Sequence, residues 1–272
     1  MTPAHDQDFP ATSDILRGVR QDERAAFDRA LQPARASAYA PGEFVEQESF
    51  MRAGEIRALA TRARIGPGVS VLDLCCGVAG PGRFITRELG CSYLGVDLSA
   101  SAVEIARERG SGLPCRFEVA RIPPTPPGPF DVVLLFETIL AFADKQPLLH
   151  GISAALAPGG RFAFTIEAGE PLTEAERARM PDADTVWLTP LEEMRTYLER
   201  AGLLVGWQDD LSQAHQQMAD ALVDAFACHA AALTTQIGRQ AVDELLAAHS
   251  LWSDWLRDGR VRKLAIVADK PR

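Results

Sequence analysis

Short apolar runs alternate with segments of helical spacing through the middle of the chain. Five runs read as buried strands, namely VSVLDL, YLGVDL, CRFEVA, FDVVLLF and RFAFTIEA. Helical spacing is found in PGRFITREL, SASAVEIARER and DKQPLLHGISAAL, which lie between these runs. The alternation predicts an α/β fold in which a parallel sheet carries helices on both faces.

Both ends of the chain add further helical segments. Residues from about Asp14 to Arg64 fit helices, with a break from Pro33 to Gly42 and helical spacing resuming at Val45. We therefore expect an N-terminal helical arm or lid over residues 1–64.

The pattern loosens after Gly169. A polar, lid-like stretch leads to the helical segment TPLEEMRTYLERAG, the strand LLVGWQ, a helical block and the last strand, RKLAIVAD. The block, at about residues 212–256, is too long for a hairpin connection, so we expect it to cover the ligand edge of the sheet. The predicted organisation is thus a Rossmann-like core over 65–170 and the rest of the sheet with this lid over 171–272.

Composition narrows the class of protein. Hydrophobic residues make up 47% and charged residues 24% of the chain, which is ordinary for a globular domain. The formal net charge of −9 disfavours nucleic acid and anionic lipid as partners. Five cysteines without a CxxC pair, and an N-terminus without a signal-peptide pattern, favour a cytoplasmic protein with no disulfide framework or zinc site.

The most informative stretch is VLDLCCGVAGPGR, where a strand ends at Asp73 and a turn contains Gly77, Gly80 and Gly82. Glycine allows close approach of the backbone to a ligand, and the following helix presents free N–H groups. Asp97 ends the next strand, 20 residues after Gly77, a spacing that suits a carboxylate on ribose hydroxyls. The alternative for Asp97 is a role in capping the next helix.

The glycine order argues against a nicotinamide or flavin cofactor. Those sites use G-x-G-x-x-G, whereas this chain has G-x-x-G-x-G, and the anionic Asp73 would repel a pyrophosphate. A cationic ligand with a ribose and no phosphate fits better. S-adenosylmethionine has these features, with its ammonium near Asp73 and its ribose at Asp97.

The successive motifs VLDLCCGVAGPGRF, YLGVDLS, FDVVLLFETI and LAPGGRFAF resemble those of the class I S-adenosylmethionine-dependent methyltransferases. The resemblance covers roughly Val69 to Ile166, and the rest of the chain is similar to small-molecule members acting on natural products or osmolytes. It implies a mostly parallel sheet whose last strand is antiparallel.

The resemblance also implies the cofactor contacts. Asp73, Gly77 and Gly80 would surround the amino-acid end, Asp97 the ribose and Leu98 the adenine, with Glu137 at the cofactor edge. Family members usually carry an acidic residue after the third strand, but this chain reads VARIPP there. Backbone groups near Arg121 and Ile122 would have to replace it, because an arginine side chain accepts no hydrogen bond.

Two residues are candidates for a catalytic base. Glu137 follows the fourth strand and could be a base or a cap on the next helix. His215 could face the acceptor or lie exposed as a helix cap. His229 and His249 fit ordinary helix-surface positions.

Other conspicuous side chains have plain alternatives. Cys75 and Cys76 are expected to be small buried hydrophobes rather than a redox or metal site. Trp252 and Trp255 could pack the insertion onto the sheet or form a substrate cage. Aromatic and amide side chains of the arm could cover the ligand or simply dock the arm, namely Tyr39, Phe44, Gln47 and Phe50.

We therefore expect methyl transfer from S-adenosylmethionine to an O, N or C atom of a small molecule, in secondary metabolism for example. The alternative is a protein that binds the cofactor without transferring its methyl group, as a cyclase-like catalyst or binding module. FETI replaces the Pro-Pro-aromatic signature of nucleic-acid amino-methyltransferases, and no acid cluster of the catechol type is found. No metal is predicted, and the oligomeric state is left open.

Overall fold

A computed structural model of the protein describes residues 21–181 and 183–272. Its single sheet has seven strands in the spatial order β3-β2-β1-β4-β5-β7-β6. The strands are β1 Ser70–Leu74, β2 Ser92–Asp97, β3 Cys115–Val119, β4 Phe130–Leu135, β5 Leu156–Ala168, β6 Leu204–Asp210 and β7 Arg262–Asp269. The first five pair in parallel, and β7 runs antiparallel to both β5 and β6. The predicted sheet and its antiparallel last strand are confirmed.

Helices follow the strands and extend both ends of the fold. Their bounds are α1 Gln21–Ala38, α2 Ala53–Arg62, α3 Gly80–Leu89, α4 Ala100–Arg109, α5 Lys145–Ala155, α6 Glu174–Arg179, α7 Leu191–Arg200, α8 Ser212–Cys228, α9 Ala230–Ile237 and α10 Arg239–Arg257. Short 3₁₀ turns occupy Ile139–Ala141 and Ala183–Thr185. Within the described ranges, no helix combines the length and the apolar character needed to cross a membrane.

Strand β1 shows how the sheet is buried on both faces. Leu72 belongs to an apolar cluster with Ile152 of α5, whereas its neighbour Val71 belongs to a cluster with Ile56 of α2 and Ile85 of α3. Adjacent residues of a strand point to opposite faces, so both faces of β1 are covered. This explains why the strand reads as a continuous apolar run.

The helical arm packs on the helical insertion. Phe27 and Leu31 of α1 share one apolar cluster with Leu222 and Phe226 of α8 and Leu245 of α10. The two segments therefore form a common helical layer beside the cavity described below. That this layer moves as a lid stays a prediction.

Two details of the arm differ from the sequence prediction. Pro33 lies inside α1, which continues to Ala38, because packing against α8 outweighs the hydrogen bond that proline removes. The chain after Val45 does not resume a helix until Ala53. There, Glu46 has a left-handed φ of 63°, and the predicted helix at Asp14 begins outside the described residues.

Side-chain hydrogen bonds replace helical ones in the segment before α2. The Gln47 amide nitrogen donates to the carbonyl oxygens of Glu43 and Met51 at 3.0 and 2.7 Å. Its amide oxygen accepts from the Val45 N–H at 2.6 Å. A single buried glutamine thus satisfies three backbone groups of an irregular loop, a solution that periodicity cannot predict.

Candidate active site

The glycine turn after β1 is held by one carboxylate at the end of β2. Cys75, Gly77 and Ala79 all have left-handed φ values, of 58°, 54° and 56°. The Gly77 N–H donates to Asp97 Oδ2 at 2.8 Å, and the Ser99 N–H donates to Asp97 Oδ1 at 2.8 Å. Asp97 therefore connects the turn to the start of α4, where Ser99 is the N-cap.

Gly77 and Gly80 are required for different reasons. A Cβ atom at Gly77 would meet no heavy atom within 4 Å, so this turn faces open space beside the cavity. A Cβ atom at Gly80 would lie 2.2 Å from the carbonyl oxygen of Val45. Gly80 therefore lets the arm approach α3 closely, whereas Gly77 leaves room for a ligand.

Asp73 is a buried acid at the carboxyl end of β1. The Tyr93 hydroxyl donates to its Oδ2 at 2.5 Å. Burial raises the pKa of Asp73 to about 7, and the nearby Asp97 adds to the rise, while the Tyr93 hydrogen bond opposes it. A cationic ligand group at this position would favour the ionised carboxylate.

A cavity of about 290 Å³ lies above these strand ends. Asp73, Gly77 and Asp97 line its sheet side, and residues of the helical layer line the opposite side. Those residues are Gln47 and Phe50 of the arm, His215 of α8, and Ala248, His249, Trp252 and Leu256 of α10. The cavity thus joins the predicted cofactor residues to the insertion.

A buried lysine lies between two acids in the cavity wall. Lys263 Nζ of β7 is 2.5 Å from Glu137 Oε1 and also donates to Glu167 Oε1 of β5. The Thr165 hydroxyl donates to Glu137 Oε1 at 3.1 Å. The Glu137 carboxylate is therefore engaged by the sheet, and does not cap the next helix.

Charge pairing controls the ionisation of Glu137 and Lys263. Burial would raise the pKa of Glu137, but Lys263, His215 and Thr165 together hold it below its usual range. Burial would lower the pKa of Lys263, but Glu137 and Glu167 together raise it. Both partners therefore stay charged inside the protein.

His215 lies beside Glu55 of α2. The imidazole is fully buried, and its Nε2 is 3.4 Å from Glu55 Oε2. Burial would raise the pKa of Glu55, but His215 and Arg52 lower it to about 2. The expectation of an exposed or capping His215 is wrong, because the arm helix α2 covers the first turn of α8.

His249 is also misplaced by the sequence prediction. It is half-buried and lines the cavity rather than the outer helix surface, and its Nδ1 is 2.8 Å from the Leu245 carbonyl oxygen. Burial lowers its pKa to about 4, so the ring is neutral near pH 7. The Phe50 ring lies between the two histidines, with centroid distances of 6.1 Å to His215 and 5.6 Å to His249.

The remaining aromatic candidates divide between packing and cavity lining. Trp255 is buried in an apolar cluster of the insertion, and Trp252 stands against it with ring centroids 5.3 Å apart. Trp252 also lines the cavity. In the arm, Tyr39 packs on Phe44 with ring centroids 5.3 Å apart.

The predicted adenine contacts lie apart from the cavity. Leu98 is half-buried, Arg121 is exposed and Ile122 is buried in the sheet core, and none of the three lines the described cavity. Their role in adenine binding stays a prediction. Cys75 and Cys76 do line the cavity, and burial raises the pKa of the Cys76 thiol, which fits the expected neutral side chain.

Three charged site residues were missed from the sequence. Lys263 and Glu167 each interrupt an apolar strand, which is a usable signal, because a charge in a buried strand needs a partner. Glu55 looks like an ordinary helix residue, and only the tertiary fold brings it to His215. Within residues 21–181 and 183–272, no group of three or more His, Cys, Asp or Glu side chains is arranged to hold a metal ion.

Comparison with known proteins finds relatives that match the sheet region of this chain. Residues 71–160 match the family described as methyltransferase domain. Phosphoethanolamine N-methyltransferase 1 of Arabidopsis thaliana is 29% identical over 168 residues, which cover 58% of this chain and 34% of the relative. Methyltransferase GfsG of Streptomyces halstedii is 26% identical over 224 residues, which cover 78% of each chain.

A solved structure shares the fold. Phosphoethanolamine N-methyltransferase 2 of Haemonchus contortus, in complex with S-adenosyl-L-methionine, superposes with a TM-score of 0.76 at 18% identity. The match covers 95% of this chain and 59% of that one. The likeness therefore includes the arm and the insertion as well as the sheet.

Residues 71–160 therefore form a methyltransferase domain, and S-adenosylmethionine is the cofactor that this domain indicates. The fold is that of the S-adenosylmethionine-bound structure above. The chain spans about a third of the length of the Arabidopsis relative and 78% of GfsG. The site fits the cofactor, because open space at Gly77 adjoins the buried Asp73 and the Asp97 carboxylate.

Proposed function

We propose that the protein transfers the methyl group of S-adenosylmethionine to a small molecule held in the cavity. One observation carries the proposal: the strand ends that fit the cofactor share a cavity with imidazole and aromatic side chains of the helical layer. A site that only binds the cofactor would not require polar and aromatic side chains from the helical layer on the other side of the cavity. The acceptor atom is an oxygen, a nitrogen or a carbon.

The chain's own residues would bind and align the reactants. Asp97 would accept hydrogen bonds from the ribose, Gly77 would allow close approach, and Asp73 would face the ammonium end. The bound cofactor supplies an activated methyl group on a sulfonium. The protein then mainly has to align the acceptor and exclude water, which the helical layer over the cavity supports.

Several finer points belong to the same proposal. We place the protein in the cytoplasm and in biosynthesis, and we expect no nucleic-acid partner because the net charge is −9. Adenine recognition would use Leu98 and the backbone near Arg121 and Ile122. Glu137 and His215 remain the two candidate bases.

The test is transfer of label from methyl-tritiated S-adenosylmethionine to a pool of small metabolites. Labelled product is expected with the wild-type protein and should be lost in Gly77→Val. Calorimetry with S-adenosylhomocysteine reports cofactor binding independently. Cofactor that binds and is recovered unchanged would overturn methyl transfer and support a cyclase-like catalyst or binding module.

A further inference from the structure

We propose that His215 is the general base, positioned by Glu55, and that the acceptor group is a hydroxyl on a mainly apolar molecule. This rests on the proposed methyl transfer, since a base is needed when an acceptor must lose a proton. Neutral hydroxyls have that requirement, whereas an unprotonated amine can attack directly. The proposal therefore selects between the two candidate bases and narrows the acceptor class.

The geometry of His215 carries the first step. The side chain is fully buried within the cavity wall, where bulk water does not reach it, so contact with a bound molecule requires the wall to adjust. Within the described ranges, Nδ1 of His215 has no hydrogen-bond partner, whereas Nε2 is paired with Glu55 at 3.4 Å. Buried polar atoms are normally satisfied, so an unpartnered ring nitrogen in a cavity wall points to a partner that arrives with the ligand.

Glu55 distinguishes the two ring nitrogens. Its Oε2 is 3.4 Å from His215 Nε2, while Nδ1 has no such neighbour. Arg52 holds the same carboxylate, with its N–H donating to Glu55 Oε2 at 2.8 Å. A fixed, ionised carboxylate at Nε2 favours a proton on that nitrogen and leaves Nδ1 to accept one.

Glu137 is the weaker candidate. Its carboxylate is already engaged by Lys263 and Thr165, and Lys263 lowers its pKa. A carboxylate stabilised in this way has little tendency to accept a proton near neutral pH. We assign Glu137 to the buried ion pair.

The other titratable groups around His215 come from four elements. Glu55 lies on α2, Glu137 follows β4, Lys263 lies on β7, and His249 of α10 lies across Phe50. Burial keeps His249 neutral near pH 7, while Glu137 and Lys263 are paired with each other. Glu55 is therefore the carboxylate in ion-pair contact with His215, and Glu137 interacts with it electrostatically from outside that contact.

Part of the cavity wall is apolar. Its lining there includes Leu140, Met180, Val186, Trp252 and Leu256. Such a wall favours a hydrocarbon or aromatic skeleton, so the polar group of the acceptor would be its reacting hydroxyl.

The chemical step balances without another reactant. The hydroxyl proton moves to Nδ1 of His215, and the oxygen electron pair forms the new bond to the methyl carbon. The sulfur–methyl bond breaks and its electron pair stays on sulfur, giving S-adenosylhomocysteine. The proton leaves His215 for solvent when product is released.

The experiment uses methyl-tritiated S-adenosylmethionine with matched acceptor pairs: 4-phenylphenol with 4-phenylaniline, and cyclododecanol with cyclododecylamine. We expect label on the hydroxyl members. His215→Gln should lower kcat by about a hundredfold to ten-thousandfold and abolish the fall in rate at acid pH, with S-adenosylhomocysteine affinity unchanged within about twofold. His229→Gln, outside the cavity, is the matched control.

Glu55 is tested as a positioning residue. Glu55→Gln should lower kcat and change the ring-nitrogen NMR signals of His215 from the Nε2-protonated form toward a mixture. Arg52→Gln removes the guanidinium donor to Glu55 Oε1 but keeps the backbone donor to Oε2, so it should leave those signals unchanged. If Glu55→Gln acted only by destabilising α2, Arg52→Gln would change the His215 signals to the same extent.

Three results would count against these assignments in distinguishable ways. Label only on the amines overturns the hydroxyl class, and near-wild-type turnover in His215→Gln overturns the base. Bound cofactor with no transfer to any probe contradicts the proposed function itself.

Discussion

The backbone N–H of Gly77 donates to Oδ2 of Asp97 at 2.8 Å, so the second strand holds the glycine turn in place. The other carboxylate oxygen accepts from the Ser99 N–H at the start of the next helix. One side chain therefore fixes the glycine turn and supports the helix start, while ribose binding by the same carboxylate stays a prediction. Its removal should affect binding and stability together.

We expect Asp97→Ala to weaken S-adenosylhomocysteine binding by about tenfold to over a hundredfold, equivalent to about 1.5–3 kcal/mol. Stability should also fall by about 1–3 kcal/mol, because two backbone N–H groups, the buried one of Ser99 and the partly buried one of Gly77, lose their acceptor. Calorimetry and urea unfolding measure the two effects. Asp97→Asn, which keeps one acceptor oxygen, should show a smaller loss of each, and unchanged affinity in Asp97→Ala would remove Asp97 from the cofactor site.

A substitution at Gly77 should combine backbone strain with a blocked site. Gly77→Val places a β-branched side chain at a φ of 54°, which costs about 1–2 kcal/mol, and directs it into open space beside the cavity. Cofactor binding should be abolished in calorimetry.

Gly112→Val is the matched control for Gly77→Val. Gly112 has a φ of 85°, open space around its Cβ position and no place in the cavity lining. It should lose similar stability and keep cofactor affinity. Equal affinity in both variants would show that the Gly77 turn is only structural.

The raised pKa of Asp73 predicts opposite pH trends for folding and binding. Its pKa is about 7 in the folded protein and about 4 when unfolded, so the folded state holds the extra proton between these values. This contribution to stability is full below about pH 4 and is lost as pH rises towards 7. A cationic ligand prefers the ionised form, so cofactor affinity should increase through the same range.

Calorimetry in two buffers of different ionisation enthalpy tests this coupling. Cofactor binding at about pH 6 should release a proton from Asp73 in the wild-type protein. Asp73→Asn should bind weakly with no such release, while Glu174→Gln, at an exposed position, should behave as wild type. Proton release that persists in Asp73→Asn would assign the ionisation elsewhere.

Local patterns predicted much of this fold for a physical reason. The last strand, RKLAIVAD, was delimited correctly as Arg262–Asp269, because strands buried on both faces are apolar runs with abrupt ends. The arm was harder, since Pro33 is tolerated through packing and Gln47 satisfies a loop through its side chain. Those contacts join segments that no local pattern relates.

The lack of a local pattern for long-range contacts also explains which site residues could be predicted from the sequence. Asp73, Gly77 and Asp97 could be identified because they belong to contiguous strand ends and turns with defined spacing. The partners of His215 and Glu137 come from distant elements, α2 for one and β7 for the other. Whether a helix histidine is exposed depends on what covers it, so the place of His249 in the cavity wall could not be predicted.

Ligand binding should order the helical layer. The arm helix α1 and insertion helix α8 share one apolar cluster, and Phe50 and His215 place this layer against the cavity. Hydrogen exchange should therefore slow in α1, α2 and α8–α10 when S-adenosylhomocysteine binds. Strand β7 provides an internal reference, and equal exchange in the free and bound protein would contradict the lid.

The buried ion group of Lys263, Glu137 and Glu167 predicts a reversal of pH dependence. Lys263→Met leaves two buried carboxylates without their cation, which should cost about 3–5 kcal/mol near neutral pH. In the wild-type protein the pKa of Glu137 is lowered, so its stabilising contribution is present above its unfolded pKa and is lost on acidification. In the variant, burial without Lys263 should raise that pKa, so stability should instead fall as pH increases.

Urea unfolding at about pH 5 and pH 8 distinguishes these signs. Lys263→Met should lose much more stability relative to wild type at the higher pH. The triple variant Lys263→Met, Glu137→Gln, Glu167→Gln contains no buried charge at this place and should recover part of the loss, because neutral amides cost less to bury than unpaired carboxylates. A triple variant no more stable than the single one at pH 8 would show that packing of the Lys263 side chain, rather than its charge, holds the three strands together.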